Sequence, residues 1–320
     1  MLFLNYALVS RAQTSLTLRE AYKNSFLIGV AVKQSKFSGE DQRGIPIIQA
    51  QFHSITAENV LKWESVHPAP GHYDFAAADR FVEFGEQNGM FIIGHTLVWH
   101  SQTPRGVFQD AQGGSVDRDT LLNRMSNHIH TVVGRYKGRI KGWDVVNEAL
   151  NDDGSLRQSP WLKIIGEDFI AGAFEYAHEA DPQAQLHYND YSLENPAKRK
   201  GAMALIRRLQ ARGVHLAAIG SQDHVKLASP TMAEVDATLA AFGKLGVKVM
   251  ITELDVDVNP AAQENNSADV ALNFQTGRAR RAIRTDCRPQ FNRRSRIAMP
   301  ISSACFSNIG MSFRASRFRA

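Results

Sequence analysis

The chain has 320 residues, 43% of them hydrophobic and 22% charged, a globular composition that excludes disorder throughout and supplies one large core. No run of about 18 apolar residues occurs, which excludes a membrane-spanning helix, and two cysteines are too few for a disulfide scaffold or a multi-cysteine zinc site. The net charge of +5 is uneven: from residue 278 onward there are 11 Arg and one acid, Asp286, so the body carries −5 and the tail +10.

Leu2–Val9 is a short apolar run, and Ser10-Arg11-Ala12 follows with small residues where a signal peptidase cuts. Residues 1–15 fit either the remnant of a secretion signal, with a secreted or periplasmic protein, or a packed N-terminus. Short Val- and Ile-rich segments then predict strands at Phe26–Val32, His53–Val60, Phe91–Trp99, Ile140–Asn147, Gln185–Tyr191, Leu216–Asp223 and Lys248–Asp255. Between them, apolar residues on a polar background predict helices at Ala76–Asn88, Asp117–Tyr136, Trp161–Glu179, Ala197–Arg212 and Thr231–Leu245. This alternation implies right-handed βαβ units and a parallel sheet. Seven units without a linker favour one α/β domain, a (β/α)8 TIM barrel over residues 16–275, rather than a doubly wound sheet. No Gly-x-Gly-x-x-Gly follows a strand, which weakens the doubly wound alternative.

Polar clusters recur at the C-terminal ends of these strands: Glu58-Asn59, His95, Asn147-Glu148, Asn189-Asp190, Gln222 with His224, and Glu253 with Asp255. In a (β/α)8 barrel those ends converge on one face, where active sites are built. The apolar strands Trp143–Asn147 and Met250–Thr252 each run into a carboxylate, Glu148 and Glu253. They are the fourth and seventh strands, roughly opposite each other, so the two carboxylates can flank one glycosidic bond. Trp143 and Trp161 read as core, and Trp63 leans the same way. His95 and His100 lack a third ligand at metal spacing, so neither a metal nor a cofactor is expected.

The motifs place the chain by resemblance. Thr56-Ala-Glu58-Asn59-Val-Leu-Lys62-Trp63-Glu64, Gly94-His95-Thr-Leu-Val-Trp99-His100-Ser-Gln102, Gly142-Trp143-Asp-Val-Val-Asn147-Glu148, Asn189-Asp190-Tyr191, Gly220-Ser-Gln222-Asp-His224 and Gly246-Val-Lys-Val-Met-Ile-Thr-Glu253-Leu-Asp255 stand in family order. Together they resemble the family 10 glycoside hydrolases, the retaining endo-β-1,4-xylanases. The resemblance implies Glu253 as nucleophile and Glu148 as general acid and then general base. Glu148 must begin protonated, which the charge of Glu253 and partial burial would favour. His224 would hydrogen-bond Glu253 and be oriented by Asp255. Asn147 would contact the 2-hydroxyl, with Gln222 beside it. Glu58, Asn59, Lys62, His95, Trp99 and Gln102 would hold sugars on the non-reducing side, Trp99 as a flat apolar platform. Tyr191 would line the other side of the cleft. The implied partner is xylan or its oligosaccharides, met by a monomer, with no nucleic acid or membrane.

The resemblance stops near residue 275. The Arg-rich segment 276–320 has no Trp, no Lys and no strand–helix alternation, and the family's eighth strand and closing helix are not recognisable in it. It is either a true basic extension or out of frame. Read one base out of register, Met299 to Phe318 permits a family-like closing helix and strand. The coding DNA of the tail decides between the two. An incomplete barrel would impair folding and activity. The alternatives to a xylanase are a carbohydrate-binding pseudoenzyme and a barrel acting on β-1,4-glucan.

Overall fold

The computed structural model describes residues 16–257 and 312–314. The expectations for residues 1–15 and for most of 276–320 lie outside the described residues.

The described residues open with α1 (Leu18–Tyr22), started by a Thr17–Glu20 capping box, and β1 (Ile28–Val32). Helix α2 (Gly44–Gln51), which the sequence reading missed, carries the chain to β2 (Ser54–Ala57). The short α3 (Trp63–Val66) precedes α4 (Ala76–Gln87), which buries Phe81, Val82 and Phe84 as its spacing predicts. Strand β3 (Phe91–Trp99) has the predicted bounds. The long α5 (Arg118–Arg135) starts at Asp117, whose carboxylate accepts from the Thr120 amide, and leads to β4 (Gly142–Asn147).

The helix expected over Trp161–Glu179 is two helices. The first, α6 (Pro160–Ile165), is capped by Ser159 with Pro at its first position; α7 (Asp168–Ala180) follows. Gly166 at φ 85° separates them, a backbone angle that a helix interior cannot hold. Strand β5 (Gln185–Asp190) and α8 (Pro196–Ala211) repeat the pattern, with Asn195 capping ahead of Pro196. Next come β6 (Ala218–Ser221), the short β7 (His224–Lys226), and α9 (Met232–Gly243), which starts with a Thr231–Glu234 capping box. The strand expected through Asp255 breaks into β8 (Lys248–Ile251) and β9 (Asp255–Asp257).

The main sheet is parallel throughout and curls into a barrel in the order β1, β2, β3, β4, β5, β6, β8. Strand β10 (Ser312–Arg314) lies between β8 and β1 and closes the ring. It is short: Ile28↔Phe313 and Gly29↔Arg314 register it on β1, and Ser312↔Met250 and Phe313↔Ile251 on β8. The tail supplies only three paired residues at the eighth position, and among the described residues no closing helix accompanies them, in keeping with the incomplete barrel expected from the sequence. The barrel's incompleteness lies in the shortness of that strand. Strands β7 and β9 form a separate two-stranded ladder with His224 opposite Asp255.

Two glycines leave room for side chains that organise the barrel. A Cβ on Gly94 would lie 2.1 Å from the Trp143 ring, and one on Gly220 would lie 2.3 Å from Asn189 Oδ1. Trp143 and Trp161 are buried in the core, as is Trp63, as expected. Trp63 stacks on fully buried His128 at 3.5 Å between centroids, and His128 Nδ1 meets His67 Nδ1 at 3.3 Å. One of these nitrogens must donate and the other accept, so at most one ring of the pair fits as it stands with a proton on both nitrogens.

Burial pushes His128 well below its ordinary value, with the neighbouring His67 adding to it. A histidine depressed in the folded state stabilises fully above pH 6.5, and that stability is lost as pH falls below it. We expect His128→Phe, which keeps a ring against Trp63, to narrow the difference in urea midpoint between pH 7.5 and pH 5. An unchanged difference would count against this origin.

Candidate active site

The thirteen residues singled out in the sequence converge on the C-terminal end of the barrel. Glu148 follows β4 directly, in a left-handed conformation at φ 55°. Its amide donates to the Asn189 carbonyl at 2.8 Å, which anchors it to the neighbouring strand. Glu253 follows β8, and its amide donates to the Gln222 carbonyl at 3.0 Å. The break after Ile251 is thus where β8 leaves the barrel ladder and presents the carboxylate.

A chain of amides joins the two carboxylates. Asn189 Nδ2 donates to Glu253 Oε1 at 3.1 Å and to Asn147 Oδ1 at 2.9 Å. Gln222 Nε2 donates to Glu148 Oε1 at 3.0 Å and to Asn147 Oδ1 at 3.3 Å, and Asn147 Nδ2 reaches Glu148 Oε1 at 3.3 Å. Thr252 Oγ1 donates to Asn189 Oδ1 at 2.6 Å, so the orientation of the Asn189 amide is set from behind. Asn147, Asn189 and Gln222 are buried, and buried amides with satisfied partners hold one geometry.

His224 stands between two acids. Its Nε2 lies 3.4 Å from Glu253 Oε2 and its Nδ1 lies 3.2 Å from Asp255 Oδ2, the pairing that the β7–β9 ladder sets up. Burial pulls the imidazole down, but hydrogen bonds and charge from Asp255 and Glu253 outweigh it, so the ring is pushed up to about 10. At neutral pH it is an imidazolium facing the carboxylate.

The other flank is built from β2 and β3. Lys62 is buried; its Nζ donates to Asn59 Oδ1 at 2.9 Å and Gln102 Oε1 at 2.6 Å. Burial pulls the ammonium below its ordinary value, against the opposing pull of Glu253, Glu148, Glu58 and Glu64. Glu58 follows β2, its amide donating to the Val32 carbonyl at 3.1 Å. His95 Nδ1 pairs with Asp144 Oδ2 at 2.9 Å, and its ring lies 6.4 Å from that of Trp99.

Trp99, expected as a sugar platform, lies between Lys62 and Glu148. It is only 8% exposed, Lys62 Nζ sits 5.1 Å from its ring, and its indole N–H donates to Glu148 Oε2 at 3.0 Å. Tyr191 stands on the far flank and accepts from Arg157 Nη2 at 2.7 Å.

Three residues of the site carried no assignment from the sequence. Asn189 lies in the Asn189-Asp190-Tyr191 motif, and its position near the C-terminal end of β5 is the sequence signal for it. Asp144, fully buried, contacts His95 and, at 3.4 Å, His187; a carboxylate inside an apolar strand is the kind of exception that asks for a partner. Arg157 lies in a loop and had no periodic signal.

Such a site can do acid–base and nucleophilic chemistry on a hydroxyl-rich ligand. Comparison with known proteins agrees with that chemistry. The family model described as Glycosyl hydrolase family 10 matches residues 17–285, reaching past the boundary expected at 275. The chain is 44% identical over 264 residues to the endo-1,4-beta-xylanase A of Xylanibacter ruminicola, covering 82% of this chain and 72% of the relative. Among solved structures, a GH10 endoxylanase retrieved from sugarcane soil metagenome is 39% identical with a TM-score of 0.84, covering 94% of this chain and 88% of that one. The intracellular xylanase of Thermoanaerobacterium saccharolyticum is 34% identical with a TM-score of 0.77, covering 95% and 90%.

Proposed function

This chain belongs to glycosyl hydrolase family 10, and we propose that it cleaves internal β-1,4 linkages of xylan with retention at the anomeric carbon. The observation that carries this reading is the pair of carboxylates after β4 and β8, joined through Asn189, Asn147 and Gln222.

In the first step a Glu253 oxygen attacks the anomeric carbon while Glu148 gives its proton to the departing glycosidic oxygen. The carbon–oxygen bond to the leaving sugar breaks as the glycosyl–Glu253 ester forms. Esterification removes the negative charge of Glu253. In the second step Glu148, now a carboxylate, takes a proton from water as the water oxygen attacks the same carbon, and Glu253 leaves as a carboxylate. The His224 imidazolium favours Glu253 in its ionised form at the start of each cycle. Asn189 at Oε1 and His224 at Oε2 together hold the Glu253 carboxylate in one orientation. Lys62, Asn59 and Gln102 supply donors and acceptors suited to sugar hydroxyls on one flank.

The test is reducing-sugar release from xylan and from carboxymethylcellulose by the purified 320-residue chain, with far-UV circular dichroism on the same sample. We expect release from xylan and little from the glucan. A folded spectrum with equal release from both, or with release from the glucan alone, would overturn the substrate assignment. A folded protein that binds xylo-oligosaccharides without turnover would favour the pseudoenzyme reading. An unfolded spectrum would point instead to the short closing strand.

A further inference from the structure

Arg157 lies in the loop between β4 and α6, half-buried, and makes three side-chain hydrogen bonds that converge on the site. Its Nε donates to the Glu148 carbonyl at 3.0 Å, and its Nη2 donates to the Leu150 carbonyl at 3.2 Å and to Tyr191 Oη at 2.7 Å. Its own amide donates to the Ala149 carbonyl at 2.8 Å, so the loop folds back onto the residues that follow β4.

Glu148 holds a left-handed backbone conformation, which a residue with a side chain keeps only when its surroundings impose it. Its amide side is fixed by the Asn189 carbonyl and the next amide, Ala149, by Tyr188 Oη at 3.1 Å. Arg157 is the side chain that fixes the carbonyl of Glu148 itself. The same guanidinium fixes the Tyr191 hydroxyl. The Tyr191 ring lies 3.1 Å from Lys198 Nζ, and its amide donates to Asp190 Oδ1 at 2.9 Å. Tyr191 is therefore held at its backbone, on its face and at its hydroxyl.

Building on the proposed xylanase reaction, we infer that Arg157 is a positioning residue that holds Glu148 and Tyr191 as one rigid unit on the leaving-group side. The residues on the opposite flank, Asn59, Lys62 and Gln102, come from around β2 and β3. The Arg157–Tyr191 pair comes from the segments after β4 and β5. A lysine cannot replace the guanidinium, because a single ammonium on a flexible stem does not span two carbonyls and a phenol in one plane.

Proton donation matters only to a leaving group that needs it. The kcat/KM on xylotetraose, whose sugar leaving group must be protonated, is compared with that on 2,4-dinitrophenyl β-xylobioside, whose phenolate departs unprotonated. We expect Arg157→Met and Arg157→Lys to lose at least about ten-fold on xylotetraose, a part of the roughly 10²- to 10⁴-fold that general acid catalysis contributes. On the aryl substrate they should stay within about two-fold. A merely structural role would lower both substrates together, so equal losses overturn the inference. So does full activity of either variant on xylotetraose; for Arg157→Lys it would mean that charge alone suffices. Wild-type protein that is folded yet inactive on both substrates defeats the xylanase reading, and the inference falls with it. That outcome is recognisable before any variant is made.

Discussion

Glu253→Gln is expected to abolish xylan hydrolysis, lowering kcat by roughly 10⁵- to 10⁶-fold, the scale on which loss of a nucleophile acts in other covalent enzymes. The substitution is nearly isosteric. Its amide oxygen can still accept from Asn189 Nδ2, which lies 3.1 Å from Glu253 Oε1, so the hydrogen-bonded frame survives. What it lacks is an anionic oxygen to form the glycosyl ester. It also removes one of the two charges that face His224. The measurement is reducing-sugar release by a variant shown to melt cooperatively. An unchanged rate would overturn the assignment.

A sharper version assigns the two carboxylates separately. With an activated aryl xylobioside and added azide, Glu253→Ala should yield the α-azide, since azide enters the space the nucleophile left and displaces the phenolate directly. Glu148→Ala should yield the β-azide, since azide then attacks the covalent intermediate. The opposite stereochemistry would exchange the roles.

Lys198→Met is expected to destabilise the fold by about 3–5 kcal/mol near neutral pH, as removing one partner of a buried pair does elsewhere. Lys198 Nζ lies 2.9 Å from Asp190 Oδ1, and both side chains are fully buried beneath the site. Asp190 also accepts from the Tyr188 hydroxyl, and from the amides of Tyr191 at 2.9 Å and Leu150 at 3.4 Å. Burial pushes its carboxyl up to about 6, against the downward pull of Lys198 and Tyr188. Without the lysine that opposition is gone, and the carboxyl rises further.

The pH dependence follows. A carboxyl raised in the folded state contributes stability that is fully present below its unfolded value of 3.8 and is lost as pH rises through the folded value. In Lys198→Met that loss extends to higher pH, so the gap between wild type and variant should widen from pH 5 to pH 8. Denaturation midpoints at the two pH values check this, and a gap that does not change with pH would contradict it. Lys198→Met combined with Asp190→Asn should recover part of the loss, because the uncompensated charge is gone.

The two predictions differ in how visible their residues were from the sequence. Glu253 ends an apolar strand in a motif that resembles a nucleophile signature. The reason it is readable is local: strand period, strand end and flanking residues all lie within ten positions. Lys198 reads as one more polar residue of a helix, and nothing local distinguishes it from Arg199 or Lys200. Its importance arises because α8 turns it inward onto Asp190, at the end of the neighbouring strand.

By itself, the sequence determined the alternation of strands and helices, the single barrel, the face on which polar residues gather, and the two carboxylates that flank the site. Those features follow from hydrophobic periodicity and short motifs. Tertiary structure alone decided the rest. It set the break between β8 and β9, the burial of Trp99 against Glu148, and the reach of Arg157 to Tyr191. It also put a three-residue strand from the tail at the eighth barrel position. These depend on contacts between residues far apart in the chain; Gln222 and Glu148, 74 positions apart, are one such pair. Local propensity carries no information about such pairings, because the partner of each group is chosen by the closure of the barrel and not by its neighbours in sequence.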